Sequence, residues 1–438
     1  MDRMQASNPS NSSLKLRTIP LSRLRLADFL QPGDVIGWPQ GPGEPLALTE
    51  MAVAQRHELK DCALLFGLTM SDTLRPELAG DFRFHALNGA GTSRRVTAQA
   101  EIFPCHVSAI PSLFRSGSLR IDVALIQVRP MPGGTYTLGV IADFVQAMID
   151  RARIVIALLN PELPAMGGDA LLRESDIDLL VDGDGRIIDM PDPQPSGTER
   201  EVARQVAALV PDRATVQLGV GTLPTAVAHA LSGHKDLGVH SGVVSDVLVD
   251  LVEKGVVTNS CKRVDAGVTV TGGLFGTRRL RDFAQDSGLV DMRTADYTHS
   301  MATAASISRF HTINSAVEVD LTGQVNAEVA AGRYLGALGG HADFVRAGTV
   351  SPGGRSIIAI PSTTPDGRHS RLVASLDARP VTTSRGDVDV VVTEHGAAHL
   401  RGCSLQERVR RLAAIAHPEH REALLRQARE LQKNQGFQ

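Results

Sequence analysis

Two glycine-rich turns are the places in this 438-residue chain where residue type and spacing first suggest chemistry. One reads Gln40-Gly-Pro-Gly-Glu44-Pro45, the other Gly219-Val-Gly-Thr-Leu-Pro224. Each follows a β-branched run and opens a stretch with helical spacing. Such turns present main-chain N–H groups at the positive end of a helix, which suits an anion. Glycine also lets a ligand approach the backbone closely. Neither turn is a GxxxxGK(S/T) phosphate loop or a full GxGxxG fingerprint, and a plain strand-to-helix turn has the same residues. Glu44 directly precedes Pro45, which places it at the N-cap of the next helix. A long carboxylate there is either a partner for the helix dipole or a functional acid.

Other candidates carry weaker patterns. Thr312 to Thr363 is dense in small and polar residues, including Asn314-Ser315, Gly339-Gly340 and Asp343-Phe344. A run so rich in turn residues either lines a cleft or is ordinary loop. His395 and His399, four apart, could share a helix face as metal ligands. No HExxH and no third ligand accompany them, so no metal site is expected. Arg408-Val-Arg-Arg411 reads as a solvated helix face.

The elements that must position these residues alternate. Short β-branched runs at 34–37, 122–128, 153–159 and 176–181 read as strands, and Ile141 to Ala152 has helical spacing. Asp182 to Glu199, rich in proline, glycine and acids, reads as an inter-domain linker. The alternation then restarts: a strand at Thr215–Leu218, a helix from Pro224 to Leu231, a strand from Asp236 to His240. A second helix spans Ser245 to Lys254, with Ser245 as N-cap and Gly255 past its end. Late strands lie at 356–360 and 388–393, and Ser404-Leu-Gln-Glu407 is a capping box. The pattern predicts an α/β fold of two doubly wound, mostly parallel domains, at 14–190 and 191–438, after a disordered tail at 1–13.

Composition excludes several classes. The formal net charge is −3 and aromatics make up 4% of residues, so neither a basic field nor a stacking surface for nucleic acid is present. Cys62, Cys105, Cys261 and Cys403 form no CxxC pair, and scattered cysteines suit a reducing cytoplasm. The polar start lacks the apolar run of a secretory signal, and no membrane span is expected. Large α/β enzymes are often homodimers, so a homo-oligomer is expected.

Several segments together resemble the acetyl-CoA hydrolase/transferase family, which includes 4-hydroxybutyrate and itaconate CoA-transferases. They are GPGEPLAL at 41–48, DVALIQVRP at 122–130, VQLGVGTLP at 216–224, INSAVEVDLTGQVNAE at 313–328, GGHADFVRAG at 339–348, SPGGRSIIAIPST at 351–363, VVTEHGAAHLRG at 391–402 and IAHPEHRE at 415–422. The resemblance implies two CoA-transferase-type domains with the active site between them. It implies acyl-CoA and a small carboxylic acid as substrates, with no permanently bound cofactor. It also implies a ping-pong reaction through a covalent glutamyl-CoA thioester. Gly219, Val220, Gly221, Thr222, Leu223, Gly339 and Gly340 would line the CoA path, with Val220 and Gly221 offering oxyanion N–H groups.

The chain departs from the family at one point. Many members carry the nucleophilic glutamate in a His-Thr-Glu-Met stretch, whereas this chain reads His240-Ser-Gly-Val243, with Gly242 in the glutamate's place. Three readings follow. Another carboxylate takes over, Glu44 first and Glu328, Glu394 or Glu50 behind it. An activated water hydrolyses the thioester. Or the protein binds acyl-CoA without chemistry.

Overall fold

The β-branched runs become strands of two large sheets. A computed structural model describes residues 16–336 and 338–435, with side chains through 431; the expected tail at 1–13 lies outside the described residues. The first sheet has ten strands. Eight run parallel in the order Arg17–Pro20, Leu179–Asp182, Ile154–Leu159, Val123–Met131, Val35–Gly37, Ala63–Phe66, Arg83–Ala86 and Ala100–Ile102. Thr135–Thr137 and Leu171–Arg173 complete it with antiparallel pairings. The second sheet has eight strands, ordered Val290–Met292, Thr269–Thr271, Gly238–Ser241, Thr215–Leu218, Phe310–Ser315, Arg355–Ala359, Val390–Thr393 and Gly396–His399. All its pairings are parallel except the last.

Parallel strands are covered on both faces, so they read as unbroken apolar runs. Val123 to Val128 is buried throughout. The halves share one core: Ala124 and Ile126 of the first sheet belong to the same apolar cluster as Val216 and Ile313 of the second. No helix is long and apolar enough to cross a membrane among the described residues.

Tertiary contacts move several expected boundaries. The helix expected from Ile141 starts at Val145, because the residues before it pair with the other half. Leu274 N–H donates to Val140 O and Ala142 N–H to Gly272 O, both at 2.8 Å. Asp143 then takes a positive φ of 30°, which cannot continue a helix. The helix expected from Ser245 runs over Val247–Glu253 without a cap from Ser245. Asp192 supplies the acceptor instead, taking the Val247 N–H at 2.8 Å. The stretch read as a linker is therefore docked: Met190 N–H donates to Gly276 O, and helix Gly197–Ala207 starts inside it behind a Ser196/Glu199 capping box. Ser404 caps its helix by accepting the Glu407 N–H, but the Glu407 side chain accepts from Arg411 instead of returning to the cap, so only half of the expected box forms.

Candidate active site

In an open parallel sheet, ligands bind beyond the carboxyl ends of the strands. Here both sheets bring those ends to one cleft of about 310 Å³. Gln40, Leu68 and Asn88 arrive after successive strands of the first sheet, and Gly219, Gly242 and Asn314 from strand ends of the second. Leu338, Gly339 and Gly340 close one side. That segment is anchored across the halves, since Val107 N–H donates to Gly339 O at 3.0 Å.

The glycine turn after Thr215–Leu218 lies where it was expected. Gly219 and Val220 line the cleft, while Gly221, Thr222 and Leu223 wall an adjoining cavity of about 690 Å³ with Ser196 and Arg371. Val220, Pro224 and Ser315 border both spaces. Gly221 sits at φ 116°, a conformation that an L side chain rarely adopts, and it leads directly into helix Thr222–Ala230.

The carboxylate facing this cleft is Asp143, which sequence reasoning missed. Its main chain is pinned on both sides: its N–H donates to Gly272 O at 3.3 Å, and its carbonyl accepts the Ala295 N–H at 2.7 Å. Gln40 Nε2 donates to Oδ2 at 2.6 Å. Burial pushes the carboxyl from an ordinary 3.8 up to about 7, with the Gln40 bond opposing the rise. A strained backbone and a displaced pKa in a cleft are features that gather at functional sites. The one signal in the sequence was a lone acid within the otherwise apolar Leu138-Gly-Val-Ile-Ala-Asp-Phe144.

Two imidazoles join it. His299 is 6% exposed, and complete burial with His240 nearby pulls it down to about 3. His341 is partly buried, its Nε2 is enclosed without a partner, and desolvation lowers the ring to about 4. Both are neutral near pH 7. Asn314 Nδ2 donates to Gln217 Oε1 across the floor at 3.4 Å.

Glu44 is placed elsewhere. It does not cap the helix, since Pro45 holds that position ahead of Leu46–Ala54. Its side chain is 0% exposed and absent from the cleft lining. Thr49 Oγ1 donates to Oε1, and Ser71 Oγ lies 2.9 Å from both oxygens. Burial raises this carboxyl above its usual range while the hydroxyls pull it back. Its local role is to bind these hydroxyls into one buried cluster.

The fallback acids have structural partners. Glu328 is buried and accepts from Thr382 Oγ1 at 2.7 Å, Glu394 accepts from the Ser362 N–H and hydroxyl, and Glu50 pairs with Arg186 at the surface. His395 precedes, and His399 ends, an edge strand rather than sharing a helix. Among the described residues no group of three or more His, Cys, Asp or Glu could hold a metal. Arg408 departs from the expected solvated face: it is buried and donates to the carbonyls of Thr322 and Arg385.

Two parallel sheets, one cleft at their strand ends and main-chain glycines beside a buried carboxylate define an α/β enzyme of the CoA-transferase class. The chain belongs to the acetyl-CoA hydrolase/transferase family. The family's N-terminal domain model matches residues 21–190 and its C-terminal domain model residues 276–428. The chain is 36% identical over 389 residues to the 4-hydroxybutyrate coenzyme A transferase of Clostridium kluyveri, covering 87% of this chain and 91% of that protein. The crystal structure of RipA from Yersinia pestis superposes with a TM-score of 0.88 at 30% identity, over 95% of this chain and 97% of that one. The 4-hydroxybutyrate CoA-transferase of Porphyromonas gingivalis gives 0.80 at 31% identity, over 95% and 98%.

Proposed function

We propose that this chain transfers CoA from an acyl-CoA to a short carboxylic acid, a dicarboxylic or hydroxy acid of the size of itaconate or 4-hydroxybutyrate. The observation that carries the reading is the meeting of Asp143 with the Gly219-Val220 and Gly339-Gly340 segments in one cleft that shares Val220, Pro224 and Ser315 with a second cavity. The second cavity suits the long CoA chain, and the cleft suits the thioester.

In this reading a carboxylate attacks the thioester carbonyl. The oxyanion forms against main-chain N–H groups, each worth about 3 kcal/mol when well aimed. CoA leaves, returns to attack the enzyme-side carbonyl of the resulting anhydride, and forms a thioester on the enzyme as the C–O bond breaks and the donor's acid departs. The incoming acid repeats the exchange in reverse. Geometry favours Asp143 over Glu44 as the attacking group. Asp143 already faces the cleft with Gln40 orienting it, whereas Glu44 would have to leave its hydroxyl cluster. The covalent species would then be an aspartyl thioester rather than the glutamyl one expected from the resemblance. A cytoplasmic homodimer is the assembly we propose for it.

The test is to incubate the enzyme with acyl-CoA, reduce with borohydride and map the modified residue. Modification at Asp143, lost in Asp143→Ala, is the expected result. Modification at Glu44 would reverse the assignment, and transfer without any modified carboxylate would remove the covalent step.

A further inference from the structure

The cleft has an apolar branch. Beside the glycine turn lies a pocket of about 30 Å³ that shares Leu218, Gly219, Pro224 and Val243 with the cleft. Two paired strands, Thr215–Leu218 and Gly238–Ser241, and two helices, Thr222–Ala230 and Val247–Glu253, wall it. Its inner residues are Val216, Ala228, Val239, Leu248 and Leu251, all buried. Gly219 leaves the shared border open, because a Cβ there would meet nothing nearer than Pro224 Cγ at 3.7 Å. Beside Gly242 the space is taken instead: a Cβ there would lie 2.9 Å from His299 Cε1.

The walls suit hydrocarbon rather than water. Two serines border the pocket: Ser241 donates its hydroxyl to Leu218 O at 2.7 Å, and Ser245 is partly exposed. A buried water needs two to four polar partners, and the inner aliphatic side chains offer none. An aliphatic tail gains from burial in proportion to the area it covers. Size then sets a limit. A space of about 10–15 Å³ admits one water-sized group, so this pocket admits about two. With the thioester carbonyl beside Gly219, an acetyl methyl reaches the entrance, a butyryl tail fills the space and a hexanoyl tail overruns it.

We propose that this pocket holds the aliphatic tail of the donor acyl group and limits it to the length of a butyryl chain, with Ala228 and Leu251 setting the limit. This rests on reading the cleft as an acyl-CoA site. A donor with an unsubstituted tail enters the pocket. An acceptor with a hydroxyl or second carboxylate keeps that end in the cleft, where Asn88, Gln217 and Asn314 supply polar groups. Donor and acceptor thus share one reacting position but place their far ends in different spaces.

The test compares kcat/KM for transfer to one labelled acid from acetyl-, butyryl- and hexanoyl-CoA. Wild type should use hexanoyl-CoA at least about tenfold less well than butyryl-CoA, since one methylene in an apolar pocket is worth about 10–200-fold. Ala228→Val narrows the pocket and should lower the butyryl-to-acetyl ratio at least about tenfold. Leu251→Ala deepens it and should raise the hexanoyl-to-butyryl ratio by a similar factor. Leu251→Val replaces it, with a smaller shift in the same direction, if Leu251→Ala lacks a cooperative thermal transition. Each ratio is taken within one enzyme, so a variant that is merely less stable or less active moves all three substrates together. Wild type that uses hexanoyl-CoA as well as butyryl-CoA would overturn the inference alone. Ratios that stay at the wild-type value in the folded variants would also overturn it. Failure of wild type to transfer from any of the three would instead overturn the reading of the cleft.

Discussion

Asp143→Asn should make this enzyme more stable and less active, by amounts that follow from burial. The carboxyl is 6% exposed and titrates near 7 rather than 3.8. Each tenfold change in proton affinity is worth about 1.4 kcal/mol, so holding the ion in place at pH 8 costs on the order of 4 kcal/mol. The folded-state pKa lies above the unfolded one. Stability from this group is therefore fully present below pH 3.8 and is lost as pH rises through about 7. Asparagine keeps an acceptor for Gln40 and removes the ion. At pH 8 the variant should gain about 2–4 kcal/mol, read as a higher denaturant midpoint with unchanged slope. The advantage should shrink steadily toward pH 4 and vanish there. Transfer should fall to background at every pH, since an amide cannot attack the thioester. An advantage that does not change between pH 4 and 8, or none at all, would refute the buried-ion reasoning. Full transfer by the variant would refute the catalytic assignment.

The remaining predictions divide support from chemistry. Glu44→Ala should lose about 2–4 kcal/mol through the cavity and the stranded hydroxyls of Thr49 and Ser71, while Glu44→Gln should keep CoA transfer; loss of transfer in folded Glu44→Gln would restore Glu44 as the attacking group. Gly242→Glu should unfold at lower temperature than wild type because its Cβ overlaps His299. The double variant with His299→Ala should recover that loss and accept acyl groups at 242, a coupling read by a double-mutant cycle; additive effects would mean that the two residues do not compete for space. Gly221→Ala should cost about 1–3 kcal/mol for its φ of 116° and weaken CoA binding by calorimetry, and a neutral effect would mean that the turn relaxes freely.

The sheets were legible because their strands are buried on both faces, so runs such as Val123 to Val128 carry little but apolar residues. The turn at Gly219 was legible because its chemistry is local. Asp143 was not, because what makes it unusual is contact with Gly272 and Ala295, far along the chain. Ile141 to Ala152 keeps helical spacing, yet its first turn is given up to main-chain bonds with the other half. The departure at Gly242 could be read by resemblance, but the ring that fills the space could not. His299 reaches it only because the sheet brings two distant segments side by side. Glu44 was misplaced for a related reason: the turn predicted a helix cap, and the hydroxyls of Thr49 and Ser71 that enclose the carboxylate come from packing.

The main-chain bonds that join 140–143 to 272–274 and 295 take up both the N–H and the carbonyl of Asp143, whose side chain lines the cleft. The spacing between Asp143 and the second sheet is therefore set by peptide geometry rather than by how two bodies rest against each other. Heat or denaturant should then offer no intermediate in which the halves persist and the chemistry is gone. Activity and the core shared by the two sheets should disappear in one transition, and neither half expressed alone should bind acyl-CoA.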